Sequence, residues 1–163
     1  MLTPAQETTL IAALKASNDS VLAPLVTARD NVLIANWLNA SGTTDAWHES
    51  CGSHDLFDSM DITKFDNLTA GKRDAWRLFL DYAPQDMRLN ARRKAVVDVW
   101  ATSTSKPGDD APAVLAKCLR KATNGEAIMG GTSATTDTVT ASKLNYIGQI
   151  SDYDVSKAFN ANP

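Results

Sequence analysis

The chain has 163 residues, of which 44% are hydrophobic and 21% are charged, and it contains 8 glycines and 6 prolines. This composition fits one folded domain with a core of its own and excludes a wholly disordered chain. No apolar run reaches the roughly 18 residues that a membrane span needs, so no membrane association is expected.

The beginning of the sequence, MLTPAQETTLIAALK, lacks the basic segment and the cleavage site of a secretory signal peptide. We therefore expect a soluble protein that is synthesised in the cytoplasm. The two cysteines, Cys51 and Cys118, lie far apart in the sequence and form no disulfide framework. The expected state of both is a buried free thiol.

Charge is distributed unevenly along the chain. Residues 1–63 carry 2 basic and 8 acidic side chains, residues 64–94 carry 8 and 4, and residues 95–163 carry 6 and 7. A basic centre beside an acidic N-terminal third can attract nucleic acid, and it equally suits copies of one protein that meet acidic face to basic face. The net charge of −3 favours self-assembly or a solvated face over direct nucleic-acid binding.

The N-terminal third carries three helix signals. Thr3, Pro4 and Gln6 give a capping-box start to a first helix. A short helix interrupted by Pro24 follows. Residues 30–40 then repeat apolar side chains at helical spacing up to a Ser-Gly stop, which predicts a third helix.

The next segment, residues 41–60, has little periodicity and contains a metal-like cluster. His48, Cys51 and His54 are spaced as His-x-x-Cys-x-x-His, which offers three zinc ligands, with a nearby acidic residue as a fourth. The spacing matches no common structural zinc signature. We therefore prefer a loop beside a buried Trp47, and we expect no metal and no other cofactor.

Two consecutive helices are predicted in the basic centre, over 70–82 and over 86–101 or 90–101, with a break at Pro84. Their apolar stripes are expected to pack as an antiparallel hairpin, with Ala75 on the core face of the first helix. The basic side chains then lie on the other faces, either solvated or in contact with another subunit or with DNA in a channel. These residues are Lys72, Arg73, Arg77, Arg88, Arg92, Arg93 and Lys94.

Gly71-Lys72 invites comparison with a phosphate-binding loop. That motif, GxxxxGK[ST], needs an upstream glycine and a hydroxyl after the lysine, whereas Arg73 follows the lysine here. We therefore interpret Gly71 as a residue that permits a close packing contact in the first turn of a helix.

Helical signals continue beyond the polar segment 102–110. A helix is predicted over 111–122, and Thr123 with Glu126 forms a second capping box that opens a short helix before a Gly-Gly pair. A catalytic centre is not indicated, because the sequence has only 2 histidines and no paired carboxylates in a helical register. The chain is therefore interpreted as non-enzymatic.

The last part of the chain changes character. It is rich in threonine and serine, with strand-like pieces at 138–141 and 143–147, and a short helix begins at Ser151. An arm so polar is most easily ordered by packing on a neighbouring subunit. The residues expected to make these contacts are Leu144, Tyr146, Ile147, Tyr153 and Phe159.

The predicted fold is mainly α. A single-domain helical bundle is expected over 1–129, followed over 130–163 by an extended β-type arm or hairpin with a short terminal helix.

Several segments together resemble one protein family. The run FDNLTAGK at 65–72 is similar to the VDNLSxGK helix entry of a group of small structural proteins from tailed bacteriophages. Other motifs of that group match in the same order, over roughly residue 45 to the end. These are Ala46-Trp47, Ala75-Trp76, Phe79-Leu80, Val99-Trp100, Thr123 to Glu126 and the SDYDV run at 151–155.

Two positions depart from the group's pattern. Arg77-Leu78 stands where the group commonly has a second aromatic residue, and the Thr/Ser-rich segment lacks the usual Phe-Glu-Gly. The first departure lies in the helix after the shared motif. The second lies in the predicted arm and concerns the contacts that the arm makes.

The resemblance implies a virion component made in the host cytoplasm, and its best placement is a head-to-tail connector or adaptor ring in the neck, below the portal. The implied partners are further copies of the chain, the portal and tail or neck proteins, with a passing contact with packaged DNA. A minor capsid or decoration protein is an alternative location. A small zinc-binding protein that uses His48, Cys51 and His54 is an alternative class.

Overall fold

The computed structural model describes residues 1–100, 111–136 and 139–161, and within them the chain forms ten helices and a four-stranded mixed sheet. The strands are β1 Ser41–Trp47, β2 Leu119–Thr123, β3 Gly131–Thr136 and β4 Val139–Leu144. Their order in the sheet is β2-β1-β4-β3, and β1 runs parallel to β4 with Ala46 opposite Ser142.

Along the chain, helices precede, separate and follow these strands. They are α1 Pro4–Ala16, α2 Leu22–Ala28, α3 Asn31–Asn39, α4 Ser53–Asp58, α5 Ile62–Asp66, α6 Ala70–Asp81, α7 Asn90–Trp100, α8 Ala111–Lys117, α9 Asn124–Ile128 and α10 Asp152–Ala161. None of the helices in the described part of the chain has the length and apolar content to cross a membrane.

The prediction of a mainly helical bundle was wrong. Helices account for 57% and strands for 17% of the described residues, so the fold is mixed α/β. The polar segment after residue 130 is no extended arm, since β4 lies inside the sheet between β1 and β3. β1 escaped prediction because its sequence, SGTTDAW, has too few apolar residues for the alternation that marks a half-buried strand.

The helix predicted over 111–122 was also wrong in its second half. The helix α8 ends at Lys117, and the following LRKAT segment is β2. Leucine, arginine, lysine and alanine all favour helix, so local propensity gave no warning. Pairing in the sheet overrides that preference, because backbone hydrogen bonds to a neighbouring strand depend on tertiary context.

The two predicted capping boxes are confirmed. The Thr3 side chain and Gln6 form a complete capping box with Pro4 in the first turn of α1, and Thr123 forms the same device with Glu126 at the start of α9. The Thr69 side chain accepts a hydrogen bond from the backbone N–H of Lys72 and begins α6. Helix starts were thus readable from short polar patterns.

The chain divides into two compact units. Unit 1 comprises Met1–Thr44, Lys121–Thr132 and Leu144–Pro163, and unit 2 comprises Asp45–Arg120 and Ser133–Lys143. The boundary between these residue ranges falls within each of the four strands. Residues 129 and 130, the predicted junction between body and arm, both belong to unit 1.

Unit 2 is built around three buried tryptophans. Trp47, Trp76 and Trp100 are all at most 1% exposed. The rings of Trp76 and Trp100 meet edge to face, with centroids 5.3 Å apart and an interplanar angle of 84°, and Phe79 stacks on Trp76 at 5.4 Å. An edge-to-face contact sets the positive ring edge against the negative face of its neighbour. Among the residues that the structure describes, the indole N–H groups of Trp76 and Trp100 have no hydrogen-bond acceptor, so ring packing dominates this core.

Unit 1 is held by contacts of α10 with α1 and α3. At the start of α10, the buried Asp154 carboxylate accepts hydrogen bonds from the Leu2 N–H at 3.0 Å and from the Ser151 N–H and hydroxyl at 3.1 and 2.7 Å. One turn further on, Lys157 forms an ion pair with the buried Glu7 of α1. Polar contacts therefore fix α10 to the first residues of the chain.

We expect Asp154→Asn to lower the free energy of unfolding by about 1–3 kcal/mol at neutral pH, because it removes the charged acceptor of three hydrogen bonds, of which the one from the Leu2 N–H is buried. Burial alone would raise the pKa of the Asp154 carboxyl, but the hydrogen bonds from Ser151 and Leu2 outweigh burial and hold that pKa below its ordinary value. A lowered pKa contributes stability above the ordinary carboxyl range, and this contribution disappears as the pH falls through the folded-state pKa.

Urea unfolding of both proteins at neutral and acidic pH measures this effect. The gap between wild type and Asp154→Asn should narrow on acidification, whereas Asp152→Asn, at an exposed carboxylate in the same turn, should stay close to wild type at each pH. A constant gap would contradict the assigned role of Asp154.

The structure overturns the packing role predicted for Gly71. A Cβ added there would have no neighbour within 4 Å, so Gly71→Ala should raise the free energy of unfolding by about 0.5–1 kcal/mol through helix propensity. Gly125 in α9 is the matched opposite, because a Cβ there would lie 2.8 Å from Ile150 Cδ1 and 3.1 Å from the Leu38 carbonyl oxygen. Gly125→Ala should therefore destabilise the fold. Thermal and urea unfolding of the two variants check the opposite signs.

Candidate assembly surface

The outer side of α6 carries an exposed apolar stripe. Leu78 is 54% exposed, and Tyr82, four residues later at the C-terminal cap, is 73% exposed. Ala75 and Gly71 are also exposed and continue the same side of the helix toward its N-terminus. We call Gly71, Ala75, Leu78 and Tyr82 the α6 stripe.

The α6 stripe corrects the predicted helix faces. Ala75 was expected on the core side, but it is exposed, while Trp76 and Phe79 are buried and Leu80 is partly buried against the core. The sequence already indicated that part of the apolar surface of this helix would be exposed. Apolar residues on this helix occupy too many positions around the axis to fit one buried face, so some had to remain on the surface.

The basic residues of α6 lie beside this stripe in different environments. Lys72 and Arg73 are half-buried, and Arg73 donates to the Asp66 carbonyl oxygen at 3.0 Å. Arg77 is exposed and pairs with Asp74 at 3.4 Å, where both side chains are 67% exposed. An exposed pair of this kind contributes little to stability. Arg77 therefore keeps its charge available at the surface.

Arg88 belongs to a network of charges rather than to an open basic face. Its guanidinium makes two hydrogen bonds to Asp86, of 2.8 and 2.7 Å, and Arg120 pairs with Glu49 at 2.9 Å. The hydrogen bonds from Arg88 lower the pKa of Asp86. Burial would raise the pKa of Glu49, but Arg120 and a backbone hydrogen bond hold it below its ordinary value. Both carboxylates thus stay charged at neutral pH.

The three consecutive basic residues at the start of α7 divide between surface and core. Arg92 and Lys94 are exposed, whereas Arg93 is only 4% exposed. Arg93 was predicted among the subunit or DNA contacts, but it is buried and its side chain is not available for such a contact. Helical geometry is the reason, since adjacent residues point about 100° apart and one of three must face inward.

Arg93 is held in the core without a carboxylate partner among the described residues. Its guanidinium donates to the Met87 carbonyl oxygen at 2.6 Å and to Thr136 Oγ1 at 2.8 Å. The guanidinium carbon lies 4.8 Å from the ring centre of Trp47, whose indole N–H donates to the Ala134 carbonyl oxygen at 2.9 Å. Burial lowers the pKa of Arg93, and the ring face and hydrogen bonds compensate for the lost solvation.

We expect Arg93→Lys to lower the free energy of unfolding by about 1–3 kcal/mol, because an ammonium cannot reproduce the planar stack and both hydrogen bonds. Arg92→Lys is the matched control, and it should change stability by less than about 0.5 kcal/mol at an exposed position. Urea unfolding followed by tryptophan fluorescence measures both variants. Equal effects of the two substitutions would refute the role assigned to Arg93.

The three candidate zinc ligands are not brought together. Cys51 is fully buried, His54 is exposed and pairs with Asp58 at 3.1 Å, and His48 Nδ1 accepts the Ser50 N–H at 3.0 Å. Across residues 1–100, 111–136 and 139–161, no group of three His, Cys, Asp or Glu side chains could hold a metal ion. Cys51 and Cys118 are buried free thiols, as predicted.

The residues predicted to make arm contacts also fall into two classes. Leu144 and Phe159 are buried, with Arg29 packed 5.5 Å above the Phe159 ring centre. Tyr146 and Ile147 are half-buried, and the Tyr146 hydroxyl donates to the Gln149 carbonyl oxygen at 2.7 Å. Tyr153 is 60% exposed. Of these five residues, Tyr153 has the side chain most open to contact with another molecule.

Comparisons of the chain with protein-family models, with curated proteins and with solved structures find no significant match.

Proposed function

We propose that this chain is a non-enzymatic structural protein of a tailed-bacteriophage virion, which assembles with copies of itself as a head-to-tail connector or adaptor ring below the portal. The observation that carries the proposal is the α6 stripe, where Leu78 and Tyr82 stand exposed on one side of a helix. Continuous exposed apolar surface is typical of protein–protein contacts, and tyrosine is enriched in them.

The resemblance to the phage group supports the same proposal. In the FDNLTAGK run, Leu68 is buried in the core of unit 2 and Thr69 caps α6. Trp76 and Phe79, which follow the run, fill the core side of that helix. The shared motif therefore builds the scaffold that presents the α6 stripe.

Exposed cations lie on α6 and on the neighbouring helix α7. Arg77 lies on α6, and Arg92 and Lys94 lie on α7, which packs against α6. In a ring these charges would meet acidic side chains of a neighbouring copy or of the portal, tail or neck proteins, or they would contact packaged DNA in passing. Each of these contacts weakens as salt rises.

We expect the purified protein to form oligomers that the double substitution Leu78→Ser with Tyr82→Ser weakens about tenfold or more. Two apolar anchors would then no longer be buried on association, and 1.4 kcal/mol already corresponds to a factor of ten in affinity. Mass photometry and negative-stain electron microscopy, with and without purified portal, report ring formation and its concentration dependence.

Val32→Ser is the matched control, since Val32 is 56% exposed on a helix of unit 1, outside the α6 stripe. It should assemble as wild type does. Assembly that survives the double substitution would refute the role of the stripe, and a protein that stays monomeric alone and with portal would refute the proposed ring.

Location in the particle tests the phage assignment separately. Gold-labelled antibodies against this chain should mark the neck of virions in electron micrographs. A label spread over the head would instead assign the chain to a minor capsid or decoration role, and virions without label would refute a virion component.

A further inference from the structure

Two buried thiols of unit 2 lie side by side. Cys51 follows β1, Cys118 lies between α8 and β2, and both are fully buried in the same core. The two thiols lie within hydrogen-bonding reach of each other, and the Val114 carbonyl oxygen lies 3.3 Å from Cys118 Sγ. Two cysteines distant in sequence are thus neighbours in space.

Backbone hydrogen bonds fix both cysteines in place. Cys51 and Gln85 exchange N–H to carbonyl bonds of 2.9 and 2.8 Å in an antiparallel bridge. The Cys118 carbonyl oxygen accepts the N–H of His48 at 2.9 Å, only three residues before Cys51. These bonds hold the Cys118 backbone beside His48 and the Cys51 backbone beside Gln85, so both cysteines have fixed positions in the same core.

We propose that Cys51 and Cys118 are an oxidation site, at which a small-molecule disulfide such as oxidised glutathione converts the two thiols into a reversible intramolecular disulfide. The Cys51 thiolate first attacks one sulfur of the small disulfide, which forms a mixed disulfide and releases one small thiol. The Cys118 thiolate then attacks the Cys51 sulfur, closes the Cys51–Cys118 bond and releases the second small thiol. The protein loses two electrons and two protons, and the small disulfide gains them.

The environments of the two thiols set their order of reaction. The hydrogen bond from Cys118 lowers the pKa of Cys51, even though burial opposes this change. The same hydrogen bond and burial raise the pKa of Cys118. Cys51 is therefore the attacking thiol and Cys118 the resolving thiol. Since both are buried, the oxidant reaches them only when unit 2 opens locally, and oxidation is slower than at an exposed cysteine.

The experiment uses the full wild-type chain. It is incubated with excess oxidised glutathione, denatured, alkylated and analysed by mass spectrometry. The expected product is a monomer that is lighter than the reduced chain by two hydrogens, about 2 Da, that takes up no alkyl group and that yields a linked peptide with Cys51 and Cys118. Its urea midpoint should be higher than that of the reduced protein and return after treatment with dithiothreitol, because the cross-link encloses most of unit 2.

Cys51→Ala and Cys118→Ala provide the controls, since each leaves one thiol that can be alkylated and neither should gain stability on oxidation. Two alkylated thiols in oxidised wild type, a stable glutathione adduct on Cys51 or links between separate chains would each overturn the proposal. The deciding measurement needs neither variant, and it does not depend on the proposed assembly.

Discussion

The contact between the Arg93 guanidinium and the Trp47 ring is the constraint on which unit 2 depends. It places a permanent cation in the core with no carboxylate beside it among the described residues, which is tolerable only where a ring face, a carbonyl oxygen and a hydroxyl replace water. Thr136 Oγ1 accepts a hydrogen bond from the guanidinium, and the Ala134 carbonyl oxygen accepts one from the Trp47 indole N–H. The side chains of Arg93 and Trp47 therefore connect β3 to α7 and to β1. Trp76 and Trp100 pack in the same core, and their indole N–H groups have no polar partner within the described part of the chain.

Much of the helical structure could be predicted because its signals are local. The capping boxes at Thr3 and Thr123 and the cap at Thr69 each need only three or four neighbouring residues, so their geometry is contained in a short run of sequence. The strands lacked such signals. SGTTDAW carries too few apolar residues to alternate visibly, and LRKAT favours helix in isolation, so the sheet becomes evident only when its distant partners are present.

The surface was harder to predict than the elements that carry it. Sequence spacing correctly separated the buried Trp76 from the exposed Arg77, yet it assigned Ala75 to the core and treated Arg93 as one member of a basic face. Helical spacing identifies which residues share a side of a helix, but only the positions of neighbouring elements decide how wide the buried side is. The α6 stripe and the buried guanidinium both arise from that width. The contact of Cys51 with Cys118 was also not predicted, because nothing in their sequence separation indicates it.

The parallel pairing of β1 with β4 has a consequence for how the chain reaches this fold. Ala46 and Ser142 are partners across nearly a hundred positions of sequence, so β1 leaves the ribosome long before the strand that lies beside it. Until β4 is synthesised, one edge of β1 is unpaired. The threonines and the aspartate of β1 keep that edge polar, which discourages pairing with other nascent chains. Such long-range pairing is slow compared with helix formation. The polar sequence of β1 is the reason why this strand was not predicted. The same polarity suits a strand that is synthesised long before the strand with which it pairs.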